Sequence, residues 1–216
     1  MVDSKFGEHG DALIKAAEGL TLGGLQTRFA RFVKAHAAWK KAEATVTGAN
    51  TVEGAHRLDR GEADAAQDGL VDALAASLSA DGFNRINPFK TLSALNPSSL
   101  KKLGDAAEAK AAQSLAAKVS KSKTASPKSK AIATKLAKAA GQVLALDVKV
   151  VTADKATTAK RTSRNALLTE WTKAYGLLKL AAKLVKNEGD PVPFDTLFPE
   201  APKKSKPAKA PPPVTP

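Results

Sequence analysis

From Ile132 to Ala153 the apolar residues step by four and three: Ile132, Leu136, Ala139, Val143, Leu146, Val150 and Ala153. Seven positions in this rhythm lay one seam along a helix and exclude a strand, whose side chains alternate with period two. No short alternating runs of Val, Ile, Thr and Tyr between turns compete with it. Ala, Lys and Leu prevail and aromatics make up only 5% of the chain, a helix-forming composition. An apolar content of 43% supplies a core. The expected class is all-α.

A second pattern concerns organisation. "GLVDALAASLSADGFNRINPFKTL" begins at Gly69 and "GLLKLAAKLVKNEGDPVPFDTLF" at Gly176, an offset of 107 residues. Each reads as the end of a helix, a glycine, and then Pro-Phe-x-Thr-Leu. Gly82 and Gly189 suit the left-handed position after a helix cap, and Pro88 and Pro193 keep the helix from resuming. Phe89, Leu92, Phe194 and Leu197 are expected as apolar lids on the bundle ends. Moving the seam of the first paragraph back by the same offset gives Leu25, Phe29, Phe32, His36, Trp39, Glu43 and Val46, of which five are apolar. Both signals point to an internal duplication.

Each copy then predicts a helical hairpin: helices near 22–46 and 53–80 around a turn at "TGANT", and helices near 127–154 and 159–187 around a weaker turn at "TADKATT". Trp171, Tyr175, Leu178, Ala182 and Val185 form the buried face of the last helix. Two shorter helices are expected, one near 11–20 and one from about Asn96, which caps, with Pro97 at the first helical position, to about Val119. "SKSKTASPKSK" reads as an exposed basic loop. The predicted fold is an internally duplicated antiparallel helical bundle of four main and two shorter helices. Residues 1–97 carry the first repeat, 98–198 the second and more basic one, packed together as one domain. Residues 199–216 form a Lys/Pro-rich tail expected to be disordered.

Signals for chemistry are sparse. There is no cysteine, hence no disulfide, thiolate metal site or cysteine nucleophile. His9 lies near the start of the chain. His36 falls on a seam position, where a buried histidine outweighs a catalytic one. Glu53 and His56 have the Glu-x-x-His spacing of di-iron bundles, but the offset positions are Lys160 and Ser163, and half a site does not hold two metals. "TLGGL" lacks the Lys-Ser/Thr of a phosphate loop. Asp59, Glu62, Asp64, Asp68 and Asp72 spread around their helix and read as a solvated acidic surface. No catalytic residue, cofactor or metal site is expected. The start of the chain lacks the apolar core of a signal peptide, and no run is long enough for a membrane span, so a cytoplasmic protein is the expectation.

Charge is the remaining clue. The chain carries +13, yet residues 1–97 hold 11 Lys/Arg against 12 Asp/Glu, whereas residues 98–189 hold 19 against 6. The expected basic surface comprises Lys118, Lys121, Lys123, Lys128, Lys130, Lys135, Lys138, Lys149, Lys160, Arg161 and Arg164. Lys179, Lys183 and Lys186 on the last helix are explained by helix propensity and the helix dipole. Such a surface suits an acidic protein partner, or the acidic half of another copy of the chain. The alternative is nonspecific nucleic-acid binding, in which lysines displace phosphate counterions. Scarce arginines and the absence of interleaved aromatics disfavour base readout and single-strand stacking. A non-enzymatic interaction or structural protein is the leading expectation.

Overall fold

A computed structural model describes residues 3–188 and 194–198, and every regular element among them is helical. In chain order these are α1 (Asp3–Ala16), a 3-10 turn (Gly23–Leu25), α2 (Gln26–Ala80), α3 (Pro97–Leu100), α4 (Asp105–Lys121), α5 (Pro127–Asn187) and α6 (Phe194–Leu197). The all-α class is therefore observed. Gly189, Pro193 and the tail from Pro199 lie outside the described residues.

Both expected mid-hairpin turns are helical instead. α2 runs unbroken through Thr47–Thr51, and α5 through Thr152–Thr158. Neither stretch contains proline, and packing overrides the local signals: Val46, Ala49 and Thr157 are buried. The threonines adapt by bonding back along the helix, Thr51 Oγ1 to the Thr47 carbonyl at 3.1 Å and Thr152 Oγ1 to that of Val148 at 2.8 Å. A glycine costs only about 1 kcal/mol in a helix, so Gly48 is tolerated. A helix that does not turn cannot pair with its own continuation, and the helix pairs expected within each copy are not formed.

Instead the chain divides into two compact units, residues 1–43 with 163–216, and residues 44–162. In the first unit, Leu13, Leu25, Phe32 and Trp39 share a core with Trp171, Ala174, Leu178, Ala182, Leu197 and Phe198. α2 and α5 run antiparallel there, with Trp171 bonded to His36 and Arg164 to Glu43. In the second unit, Val71, Leu74 and Leu78 of α2 meet Ala109, Ala112, Leu115 and Val119 of α4 and Ala133, Leu136, Ala140 and Val143 of α5. The seam from Ile132 to Ala153 is buried or half-buried at every position.

Several local expectations hold. α2 ends where Gly82 adopts φ +92°, and the Phe83 amide reaches back to the Leu78 carbonyl at 3.1 Å. Pro88 and Phe89 are buried and Leu92 is half-buried, with Phe89 in the core of the second unit. Leu197 is buried and Phe194 half-buried against the core of the first. Asn96 accepts from the Ser99 amide at 2.7 Å, with Pro97 at the first helical position. The helix it starts is one turn long, however. The chain breaks at Gly104, extended at φ −70° and ψ 149°, before α4 begins. The early helix also differs, starting at Asp3 and ending at Ala16.

Candidate functional site

Lysines dominate the α4–α5 junction, and the junction itself is tightly built. α4 continues to Lys121 and α5 starts at Pro127, so the basic loop is only residues 122–126. Ser122 Oγ accepts from the amides of Thr124 and Ala125, both at 3.3 Å, while the buried Ala125 and Val119 pin the loop from beneath. Ser126 caps α5, its Oγ accepting from the Ser129 amide at 3.2 Å. Asp81, just past α2, accepts from the Ser129 hydroxyl at 2.6 Å and the Ser126 amide at 2.9 Å. These bonds, the Ser129 hydroxyl foremost, hold its carboxyl below the usual range. Ser129 is fully buried and also bonds Ser77 at 2.8 Å.

This frame presents Lys118, Lys121, Lys123 and Lys128 exposed and Lys130 half-exposed. The 38 residues from Ala109 to Leu146 contain eight lysines and no acidic residue. None of the five forms an ion pair among the described residues. Lys135 and Lys138 are exposed one to three turns further along α5. At a rise of 1.5 Å per residue, Lys149 stands roughly 28 Å and Lys160 roughly 45 Å along the helix from Lys130. Arg161 is engaged by Asn50 at 2.8 Å and Arg164 by Glu43 at 2.9 Å. The structure thus gathers part of the expected basic surface at one junction and distributes the rest along α5.

A buried polar cluster in the same unit escaped the sequence reading. Glu108 of α4 and Gln67 of α2 are both buried, Gln67 Nε2 donating to Glu108 Oε1 at 2.9 Å. Burial, together with the carboxyls of Asp68 and Asp64, pushes Glu108 up to about 7. Asp64 is likewise raised, by its own burial first and then by Asp105 and Asp68. Arg60 bridges Asp105 at 2.7 Å and Asp147 at 2.9 Å, and Lys101 holds Asp72 at 2.9 Å. The signal was available: Gln67, Val71, Leu74 and Leu78, like Glu108, Ala112, Leu115 and Val119, step by four, three and four.

Two of the three histidines, His36 and His9, have hydrogen-bond partners, whereas the Nδ1 of His56 is buried without one among the described residues. His36 is 2% exposed. Its Nδ1 accepts from Trp171 Nε1 at 3.0 Å and its Nε2 faces Asp11 Oδ1 at 2.9 Å, an arrangement satisfied by the neutral ring carrying its proton on Nε2. Lys40 bonds the same carboxylate at 2.8 Å and, with His36, holds it below its usual range. His9 bonds the Tyr175 hydroxyl at 2.9 Å. Glu53 accepts two bonds from Arg57, at 2.8 and 3.0 Å. Among the described residues no three His, Asp or Glu side chains converge as metal ligands, and no helix is long and apolar enough to cross a membrane. Comparison with protein-family models, with curated proteins and with solved structures finds no match.

Proposed function

We propose that the protein is a non-enzymatic interaction module whose lysine-lined α4–α5 junction receives an acidic protein partner. The observation that carries this reading is the excess of positive charge at a fixed place: five lysines without an ion pair, around Asp81, whose carboxylate accepts from Ser126 and Ser129 and attracts Lys128, with no acidic residue from Ala109 to Leu146. A helical surface needs lysines for solubility, but it does not need a turn rigidly capped while all its charges lack ion pairs. The matched Phe-x-Thr-Leu words, one in each unit's core, also support an origin by duplication.

Nucleic-acid binding is the second reading, favoured by the same run of lysines. It ranks second because the stretch from Ala109 to Leu146 holds neither an arginine for base-edge readout nor an aromatic for base stacking. Self-association through the acidic first half has a smaller acidic surface to use, since Asp72 and Glu53 are already paired within the chain. Light scattering at low and moderate salt, with poly-L-glutamate or a short random DNA duplex added, separates these readings. A monomer that shifts with poly-L-glutamate and returns with salt supports the first. A shift with the duplex alone supports the second, and a salt-sensitive oligomer that ignores both supports self-assembly.

A further inference from the structure

Four rings meet on one side of the first unit. Trp171 and Tyr175 of α5 are stacked, with centroids 5.3 Å apart and planes inclined by 8°. Phe6 of α1 stands edge-on to Trp171 at 5.3 Å and 79°, and His9, a turn further on, edge-on to Tyr175 at 5.1 Å and 64°. Steps of three and four set each pair on one face of its helix. Together with Lys5 and Thr172 the four rings wall a cleft of about 390 Å³, within the roughly 300–1,000 Å³ of small-molecule sites. A core closes over its aromatic rings, whereas Phe6 and Tyr175 are only half-buried and face this opening.

The walls define the body of the occupant and Lys5 its charge. Stacked rings with others edge-on to them leave a corner that a further flat ring fills by the same offset and edge-on contacts. The polar groups of the wall are engaged: the Tyr175 hydroxyl with His9 Nε2 at 2.9 Å, and Thr172 Oγ1 as donor to the Leu168 carbonyl at 2.9 Å. Burial pushes the Tyr175 phenol up, so it adds no negative charge. Lys5 lines the cleft, is exposed and has no ion pair among the described residues. Glu8, Glu170 and Lys173 adjoin lining residues in the chain but do not line the cleft themselves. A quaternary ammonium, the usual guest of aromatic cages, would therefore meet Lys5 with no carboxylate on the wall to offset it. A second copy has no ring to insert, since none of the seven phenylalanines, two tryptophans and one tyrosine is exposed. We propose that this cleft binds a small planar aromatic carboxylate, its rings packed on Phe6 and Tyr175 and its carboxylate on the Lys5 ammonium. The site lies within the first unit and is independent of the lysine-lined junction.

The test titrates the full chain calorimetrically with 2-naphthoate and two controls. Decahydro-2-naphthoate keeps the charge and carbon skeleton but loses the flat rings, and 2-naphthyltrimethylammonium keeps the rings but reverses the charge. 2-Naphthoate is expected to bind about fivefold or more tightly than the saturated acid, and about twofold or more tightly than the ammonium. Lys5→Glu, at an exposed position that the fold tolerates, should reverse the order of carboxylate and ammonium. Phe6→Leu should narrow the gap between 2-naphthoate and its saturated analogue while keeping the helical circular dichroism of the parent. Glutamine at Lys118, Lys121, Lys123, Lys128 and Lys130 should leave 2-naphthoate binding intact, which separates this site from the junction. No binding of 2-naphthoate, equal binding of the saturated acid, tighter binding of the ammonium, or an order that Lys5→Glu leaves unchanged overturns the inference. So does a dimer of the free protein that Phe6→Leu disrupts, because the cleft would then belong to a second copy.

Discussion

At the scale of single residues, Glu108 shows how burial sets chemistry. Its carboxyl is packed among Gln67, Asp68 and Asp64, with Asp72, Asp105, Arg60, Lys101 and Asp147 as the surrounding charges, and is raised from 4.5 to about 7. A carboxyl raised on folding contributes most at low pH and loses that contribution as pH climbs from the unfolded to the folded value. Stability should therefore fall between about pH 4.5 and 7, by on the order of 3 kcal/mol at the full shift, and level off above. Glu108→Gln keeps an acceptor for Gln67 and gains a donor toward Asp68, so urea unfolding of this variant should vary less across that window and give greater stability than the parent at pH 8. Gly10 supplies the second residue-scale prediction. A Cβ there would run into the imidazole of His36, so Gly10→Ala should cost about 1–3 kcal/mol by overpacking, read by thermal unfolding. Both groups were open to sequence reading in part. The placement of His36 on a seam was visible; the polar seam positions Gln67 and Glu108 were present but masked by the many acidic residues of α2.

At the scale of elements, helix class and buried faces were legible because the period of three and four is strong and no strand pattern opposes it. The caps at Asn96 and the glycine stop at Gly82 were legible because each has a local chemical cause. Interruptions were not. Thr47–Thr51 and Thr152–Thr158 carry turn-favouring residues, yet none demands a positive φ, and burial of Val46, Ala49 and Thr157 carries the helix through. The break at Gly104 was missed because Lys101–Leu103 before it and Ala106–Ala107 after it favour helix, which masked the weak propensity of Gly104 and Asp105. α2 therefore retains helical glycines that serve no contact: Gly54 and Gly61 are exposed, with nothing within 4 Å of a Cβ placed on either. Gly54→Ala and Gly61→Ala should each stabilise the protein by roughly 0.5–1 kcal/mol, additively when combined, and a decrease in either denaturation midpoint would contradict the packing described here.

At the scale of the molecule, each unit has a core of its own, and each core includes one of the repeated Phe-x-Thr-Leu words. Sequence reading saw the repeated words but paired the wrong helices, because a helix that continues and one that turns back bury the same residues in the same rhythm. The basic asymmetry was legible in full from residue counts. The crowding of Lys118, Lys121, Lys123, Lys128 and Lys130 in one basic stretch was legible too; only the fold shows that the stretch is a capped junction and that Arg161 and Arg164 are bound elsewhere. Five pairs at roughly 0.2–1 kcal/mol each correspond to about fivefold or more in affinity, within reach of direct titration. The most direct measurement is the affinity of the full chain for poly-L-glutamate at low and moderate salt, compared with a variant carrying glutamine at those five positions. The parent should bind at low salt, weaken as salt rises, and exceed the variant by about fivefold or more. Absence of binding, or binding that the five substitutions leave unchanged, would contradict the role given to the junction.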